Sequence, residues 1–200
     1  MSSYIAKMNE RIRNAPDGHA FVVSDFTDIM EYEAAKKSIA RLEKSGVIRR
    51  VIRGIYDKPK YSELLGEYAA PDINKVAEAL ARNYNWTIAP SGNTALNLLG
   101  LSTQVPAHWD YISTGPYRSY KIGKMTLRFS HRANKTIEGM SPKTAMVIEA
   151  LRTIEKDDFS ESMIKTLRKR LTVGDKERLL TEGRQTTNWI YSAIKKICTD

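Results

Sequence analysis

Between Lys36 and Lys60 the chain carries nine bases (Lys36, Lys37, Arg41, Lys44, Arg49, Arg50, Arg53, Lys58 and Lys60) against two acids, Glu43 and Asp57. That is an excess of +7 within 25 residues, whereas all 200 residues together carry +9. Charge gathered in this way does one kind of chemistry well. It neutralises a polyanion, and it is the electrostatic footprint of a nucleic-acid binder. The competing structural reading of any basic stretch is a solvated charged face. The elements that carry the bases decide between the two.

Three short helices and a hairpin are expected there. Ser2 or Ser3 can cap a first helix with Ile5, Met8 and Ile12 at helical spacing, and the run from Asn14 to Gly18 stops it. After the apolar piece Phe21-Val22-Val23, the Ser24 hydroxyl can cap a second short helix through Met30. Asp25 and Asp28 would then complement its dipole. A third helix, about Glu33 to Ser45, ends at Gly46. Its Ala35, Ile39 and Leu42 share one face, while Glu33, Lys37, Ala40, Arg41 and Lys44 project from the other. Long cations around a small Ala40 suit a major groove.

The segment Val47-Ile48-Arg49-Arg50-Val51-Ile52-Arg53-Gly54-Ile55-Tyr56 follows at once. Arg53-Gly54 reads as a hairpin turn, with Gly supplying the positive φ. Its apolar residues come in pairs, which a projecting ribbon tolerates better than a half-buried strand. Arg49, Arg50 and Arg53 are thereby expected on a loop beside the third helix. Helix, helix, turn, helix and basic hairpin make a winged helix-turn-helix. Lys37, Arg41, Lys44, Arg49, Arg50 and Arg53 are the expected DNA contacts, and Lys36 and Lys58 add to the field.

The run Leu42 to Tyr56 resembles the helix-plus-wing signature of the AbiEi family of bacterial antitoxins, which belong to type IV toxin–antitoxin and abortive-infection systems. The stretch Pro90-Ser91-Gly92-Asn93-Thr94-Ala95-Leu96-Asn97-Leu98-Leu99-Gly100-Leu101-Ser102-Thr103-Gln104-Val105-Pro106 is similar to a second AbiEi-like block. The resemblance spans roughly residues 1 to 150. It implies an antitoxin that represses its own promoter, two copies binding cooperatively to double-stranded operator DNA with inverted repeats. It also implies a second domain that counteracts a cognate nucleotidyltransferase-type toxin, with or without a stable complex.

The remaining sequence reads as that second domain. Asp72 can cap a helix with Ile73, Val76, Ala77, Leu80 and Tyr84 on one stripe. A strand at Trp86 to Ala89, a helix from about Asn93 to Gly100, and strands at Trp109 to Ser113, Tyr120 to Ile122 and Met125 to Ser130 follow. The last three are expected to form a small β-meander. Ser141 and Pro142 open a helix through Ile154, and three more helical patterns, Ser160 to Leu171, Lys176 to Glu182 and Thr187 to Ile197, complete the chain. The expected fold is α+β, with a winged helix-turn-helix over 1–62. A mixed α/β domain over 71–200 should then hold a small antiparallel sheet and a helical C-terminal tail. Arg118, Lys121, Lys124, Arg128 and Arg132, interleaved with Tyr117 and Tyr120, form a possible second anion or partner surface, or a solvated sheet face.

Catalytic spacing is hard to find. His19, His108 and His131 are scattered outside any metal-binding pair, so no metal is expected. Ser91-Gly92 lacks the G-x-S-x-G frame of a nucleophile elbow and reads as a capping turn. Neither glycine-rich phosphate loop occurs, so no cofactor is expected. Asp157-Asp158 and the bases from Lys165 to Arg170 fit helix-terminus charges. Cys198 is the single cysteine, and with no apolar run of ~20 residues and no signal-peptide pattern a cytoplasmic, non-enzymatic protein off the membrane is expected. The alternatives are a ligand-responsive winged-helix transcription factor, a protein-interaction module, or a toxin-modifying enzyme.

Overall fold

The computed structural model describes residues 3–132 and 139–199. The fold is α+β, and the chain divides into two compact units, residues 1–86 with 122–124 and residues 87–121 with 125–200. No helix among the described residues is long and apolar enough to cross a membrane.

The first unit opens with α1 (Ser3–Asn14); the expected cap at Ser2 lies outside the described residues. Strand β1 (Ala20–Phe21) leads into a single 3₁₀ turn, Val23–Phe26, where a second short helix was expected. The reason lies in two side chains. Asp25 folds back so that its carboxylate accepts from the Val22 amide at 2.9 Å, and Phe26 is drawn fully into the core. Ser24 therefore sits inside the turn, its carbonyl accepting from the Thr27 hydroxyl, and does not cap a helix.

Helix α2 (Tyr32–Lys44) ends where Gly46 adopts φ 75°, a left-handed conformation that a glycine takes without strain. The chain reverses there, the Val47 amide donating to the Leu42 carbonyl at 3.0 Å. Strands β2 (Arg49–Ile52) and β3 (Ile55–Asp57) form the expected hairpin about Arg53-Gly54, and the sheet order is β1-β3-β2. Arg49 faces Asp57, Arg50 faces Tyr56 and Ile52 faces Ile55, with an irregularity between Arg50 and Ile52. That bulge at Val51 explains the paired apolar residues, since an extra residue resets the alternation of faces. Met8, Ile12, Phe21, Phe26, Ile39 and Ile48 form the core of this unit, each such burial stabilising it by roughly 2 kcal/mol.

A second hairpin, β4 (Tyr61–Ser62) with β5 (Glu67–Tyr68), precedes α3 (Ile73–Tyr84). As expected, the Asp72 carboxylate caps α3, accepting from the Asn74 and Lys75 amides at 2.9 and 3.2 Å. The expected domain boundary between 62 and 71 is corrected, however. Helix α3 packs on β1 and β3, so the first unit runs to Trp86.

The second unit holds β6 (Ile88–Pro90), α4 (Gly92–Leu98), β7 (His108–Ser113), β8 (Arg118–Ile122) and β9 (Met125–His131). Its sheet order is β6-β7-β9-β8, with β6 antiparallel to β7 but β7 parallel to β9. The expected meander, and with it an all-antiparallel sheet, is therefore replaced by a mixed sheet. Strand β9 earns the central place because its Leu127 and Phe129 are buried while Arg128 on the other face meets Asp110 of β7. Behind the sheet come α5 (Pro142–Thr153), a 3₁₀ turn at Lys156–Asp158, α6 (Glu161–Arg170), α7 (Val173–Glu182) and α8 (Asn188–Cys198). Leu99, Leu151, Leu167, Leu179 and Ile194 anchor their common core. Helix α7 starts earlier than Lys176 because Thr172 and Asp175 form a reciprocal capping box.

Candidate nucleic-acid interface

Helix α2 separates its two faces cleanly. Ala35, Ser38 and Ile39 are buried and Leu42 packs against the same core, while Lys36, Lys37, Ala40, Arg41 and Lys44 are exposed. Lys36 lies 3.5 Å from Glu33 on its own helix, an exposed pair worth a few tenths of a kcal/mol, roughly. Lys37, Arg41 and Lys44 have no acidic partner among the described residues. Arg50 and Arg53, on and beyond β2, are likewise exposed and unpaired among them. The α2 cations stand at i, i+4 and i+7, close to one line along the helix.

Two of the expected contacts are placed elsewhere. Arg49 reaches across the β2–β3 ladder to Asp57, with Nε–Oδ1 at 3.0 Å and Nη2–Oδ2 at 2.6 Å, and also donates to the Ala69 carbonyl at 3.0 Å. Asp57 is only 1% exposed, so this guanidinium neutralises a buried carboxylate and is spent on the fold. Lys58 donates to the carbonyls of Arg13 and Ala15, both at 2.9 Å, and pairs with Asp17 at 3.2 Å. Its three donors are thereby used within the unit. Arg49 on a projecting loop and Lys58 as a contributor of free field are both corrected on these grounds.

Two further arginines carry the positioning and were missed. Arg11 of α1 holds Asp28 through two hydrogen bonds at 2.8 and 2.6 Å and also donates to the Asp25 carbonyl. Arg82 of α3 holds Asp25 at 3.0 and 3.1 Å and donates to the Ala20 carbonyl at 2.8 Å. Together they clamp the 3₁₀ turn against which α2 packs. The Arg11 guanidinium holds the Asp28 carboxyl below the usual carboxylate range. Asp25 and Asp28, expected as helix-dipole charges, are ion-pair partners. Two acids three apart were the available signal, but their partners stand 57 and 17 residues away. His19, edge-on to Phe21 at 4.7 Å, is pushed below its ordinary value by burial and then by Arg82.

The second basic set is less uniform than its composition. Arg118, Lys121, Lys124 and Arg132 are exposed, but Arg128 is neutralised by Asp110 through bonds of 2.6 and 3.0 Å. Tyr117 is exposed, whereas Tyr120 turns inward, edge-on to Phe129 at 6.1 Å.

Residues weighed for catalysis stay apart. The His131 Nδ1 lies within hydrogen-bonding distance of the Gly115 carbonyl oxygen, which accepts, at 3.0 Å, and no group of three metal-ligating side chains occurs among the described residues. Ser91 occupies the first cap position of α4, but its hydroxyl makes no capping bond; its amide donates to Asp110 instead. Burial pushes the Cys198 thiol up, away from thiolate reactivity.

No match to the chain is found among curated proteins. Among solved structures, the chain is similar to the crystal structure of RV2827C protein from Mycobacterium tuberculosis, at 13% identity and a TM-score of 0.41, covering 99% of this chain and 77% of that one. Residues 7–179 match the family described as "Family of unknown function (DUF6088)", and the chain belongs to that family.

Proposed function

We propose that the first unit is a winged helix-turn-helix that binds double-stranded DNA, with α2 as recognition helix and the β2–β3 hairpin as wing. The observation that carries the reading is the set of five outward, acid-free cations, Lys37, Arg41 and Lys44 on α2 with Arg50 and Arg53 on the hairpin. Exposed Ala40 leaves the helix room to approach base edges, and Arg41 is the side chain suited to read one. Following the AbiEi resemblance, the protein is an antitoxin that represses its own promoter and counteracts a nucleotidyltransferase-type toxin in the cytoplasm. It acts without a cofactor and without catalysis.

The test is a mobility-shift titration with DNA from the gene's own promoter. Four phosphate contacts, from Lys37, Lys44, Arg50 and Arg53, predict a loss of ~150-fold in affinity between 50 and 200 mM salt. A Lys37/Arg41/Arg50/Arg53 quadruple alanine variant should bind at least ~100-fold more weakly at unchanged thermal stability. Retention of binding by that variant would sink the assignment. Growth rescue on co-expression with a neighbouring nucleotidyltransferase tests the antitoxin role separately.

A second reading has one observation in its favour. A cavity of about 510 Å³ in the first unit is lined by His19, Phe21, Arg11 and Arg82, beside the 3₁₀ turn that supports α2. That is the size of a small-molecule site. A ligand there would make the protein an effector-responsive regulator, and a thermal-shift screen with small aromatic acids tests it.

A further inference from the structure

Helix α2 carries an acid where its charge runs against contact with a polyanion. At 100° per residue, with Glu33 taken as zero, Lys37 falls at about 40°, Ala40 at about −20° and Lys44 at about 20°. Glu33 therefore stands on the same outward line as those residues, one turn nearer the helix N-terminus, and its side chain is 69% exposed. The neighbouring acids leave that line. Glu43 falls at about −80°, and Glu31, at about 160°, borders the groove between Tyr4 and Met30. The ion-pair partner of Glu33 among the described residues is Lys36 at 3.5 Å, in an exposed pair that fixes little. The helix dipole favours an acid anywhere in the first turn and does not select the outward line.

Position along the helix decides what this carboxylate meets. The cations gather toward the other end, with Arg41 and Lys44 in the last turn. A recognition helix meets base edges through its N-terminal residues, while cations farther along take phosphates. In that pose Glu33 enters the groove, where base edges replace phosphate as its neighbours. A carboxylate there needs a donor. Guanine presents N7 and O6 and thymine presents O4, all acceptors. Adenine sets its N6 amino group beside the acceptor N7, whereas cytosine presents the N4 amino group without an adjacent acceptor. Cytosine is thus the base from which Glu33 accepts a hydrogen bond without facing a lone pair.

We propose that Glu33 reads a cytosine N4 amino group in the major groove and is a specificity-determining residue of α2, an inference that rests on the DNA reading above. The cations supply affinity for any sequence. Glu33 subtracts from that affinity wherever the facing base offers an acceptor, and the difference between bases is the specificity.

Duplexes selected from a randomised pool by the full chain should hold cytosine at one fixed position. Replacing that C·G pair by T·A should weaken wild-type binding about tenfold. Glu33→Ala should bring the two duplexes to within about twofold of each other, and should bind the T·A duplex more tightly than the wild type does. Glu33→Gln should move the preference to adenine, because a side-chain amide pairs with N6 and N7 together. A dipole role alone would lower the melting temperature of Glu33→Ala and leave its base preference unmoved, which overturns the proposal. An equal gain in affinity on every duplex, from a carboxylate that faces phosphate, overturns it as well. Both of those outcomes leave the DNA reading standing, whereas a wild-type chain that binds no duplex in a salt-sensitive manner removes both.

Discussion

Arg49 and Arg50 are neighbours on β2, and their side chains leave the strand on opposite sides. Arg49 closes on a buried carboxylate and a backbone carbonyl; Arg50 reaches solvent with no acidic partner. The same division runs through the first unit. Arg11, Arg82, Arg49 and Lys58 hold its elements together, while Lys37, Arg41, Lys44, Arg50 and Arg53 face outward. In the second unit Arg128 joins the inward class through Asp110. A count of bases therefore overstates the charge available to a partner, and only the pairing shows by how much.

Four measurements break or sharpen that division. The largest effect is expected from Arg49→Ala, which leaves Asp57 buried and unpaired and should cost about 3 kcal/mol in denaturant unfolding. Any weakening of DNA binding in that variant should follow its loss of folded protein. If instead Arg49→Ala unfolds at the same midpoint and loses only affinity, the inward assignment fails. Arg50→Ala is the mirror case, with melting unchanged and promoter affinity down about tenfold at moderate salt. Arg128→Ala comes third, since an exposed cross-strand pair is worth ~0.2–1 kcal/mol, and a calorimetric melt should register no more.

The smallest effect concerns pH. His19 is held below its ordinary value of 6.5 by burial and by Arg82, so the unfolded chain takes up its proton first as pH falls. The stability it contributes is complete above about pH 6.5 and declines on acidification below that value. His19→Gln should flatten that decline in thermal melts recorded from neutral pH downward. A decline unchanged in the variant would assign it to other groups.

Much of the first unit was legible because its signals are local. The Gly46 stop, the Asp72 cap, the Arg53-Gly54 turn and the Ala35/Ile39 face each depend on a few neighbouring residues and on backbone conformation. The same holds for Ser141, which caps α5 by accepting from the Thr144 amide. Local signals failed where a distant partner intervened. Ser24 lost its helix because Asp25 and Phe26 are claimed by the core and by Arg82. Helix α3 looked like the start of a second domain because an apolar stripe does not say which sheet it will cover. Strand β9 showed its alternation plainly, yet pairing with β7 rather than lying in a meander depends on which strand buries the larger apolar face.

The candidate interface divides in the same way. Helix periodicity alone placed Lys37, Arg41 and Lys44 opposite the buried face, since 100° per residue follows from backbone geometry whatever the rest of the chain does. Arg49 and Lys58 were beyond reach from sequence because their fate rests on Asp57, Ala69, Arg13 and Asp17, which become neighbours only after folding. Charge and helical phase are properties of the chain itself. Which charges remain free is settled by long-range pairing, because a buried carboxylate takes the nearest guanidinium that folding brings to it.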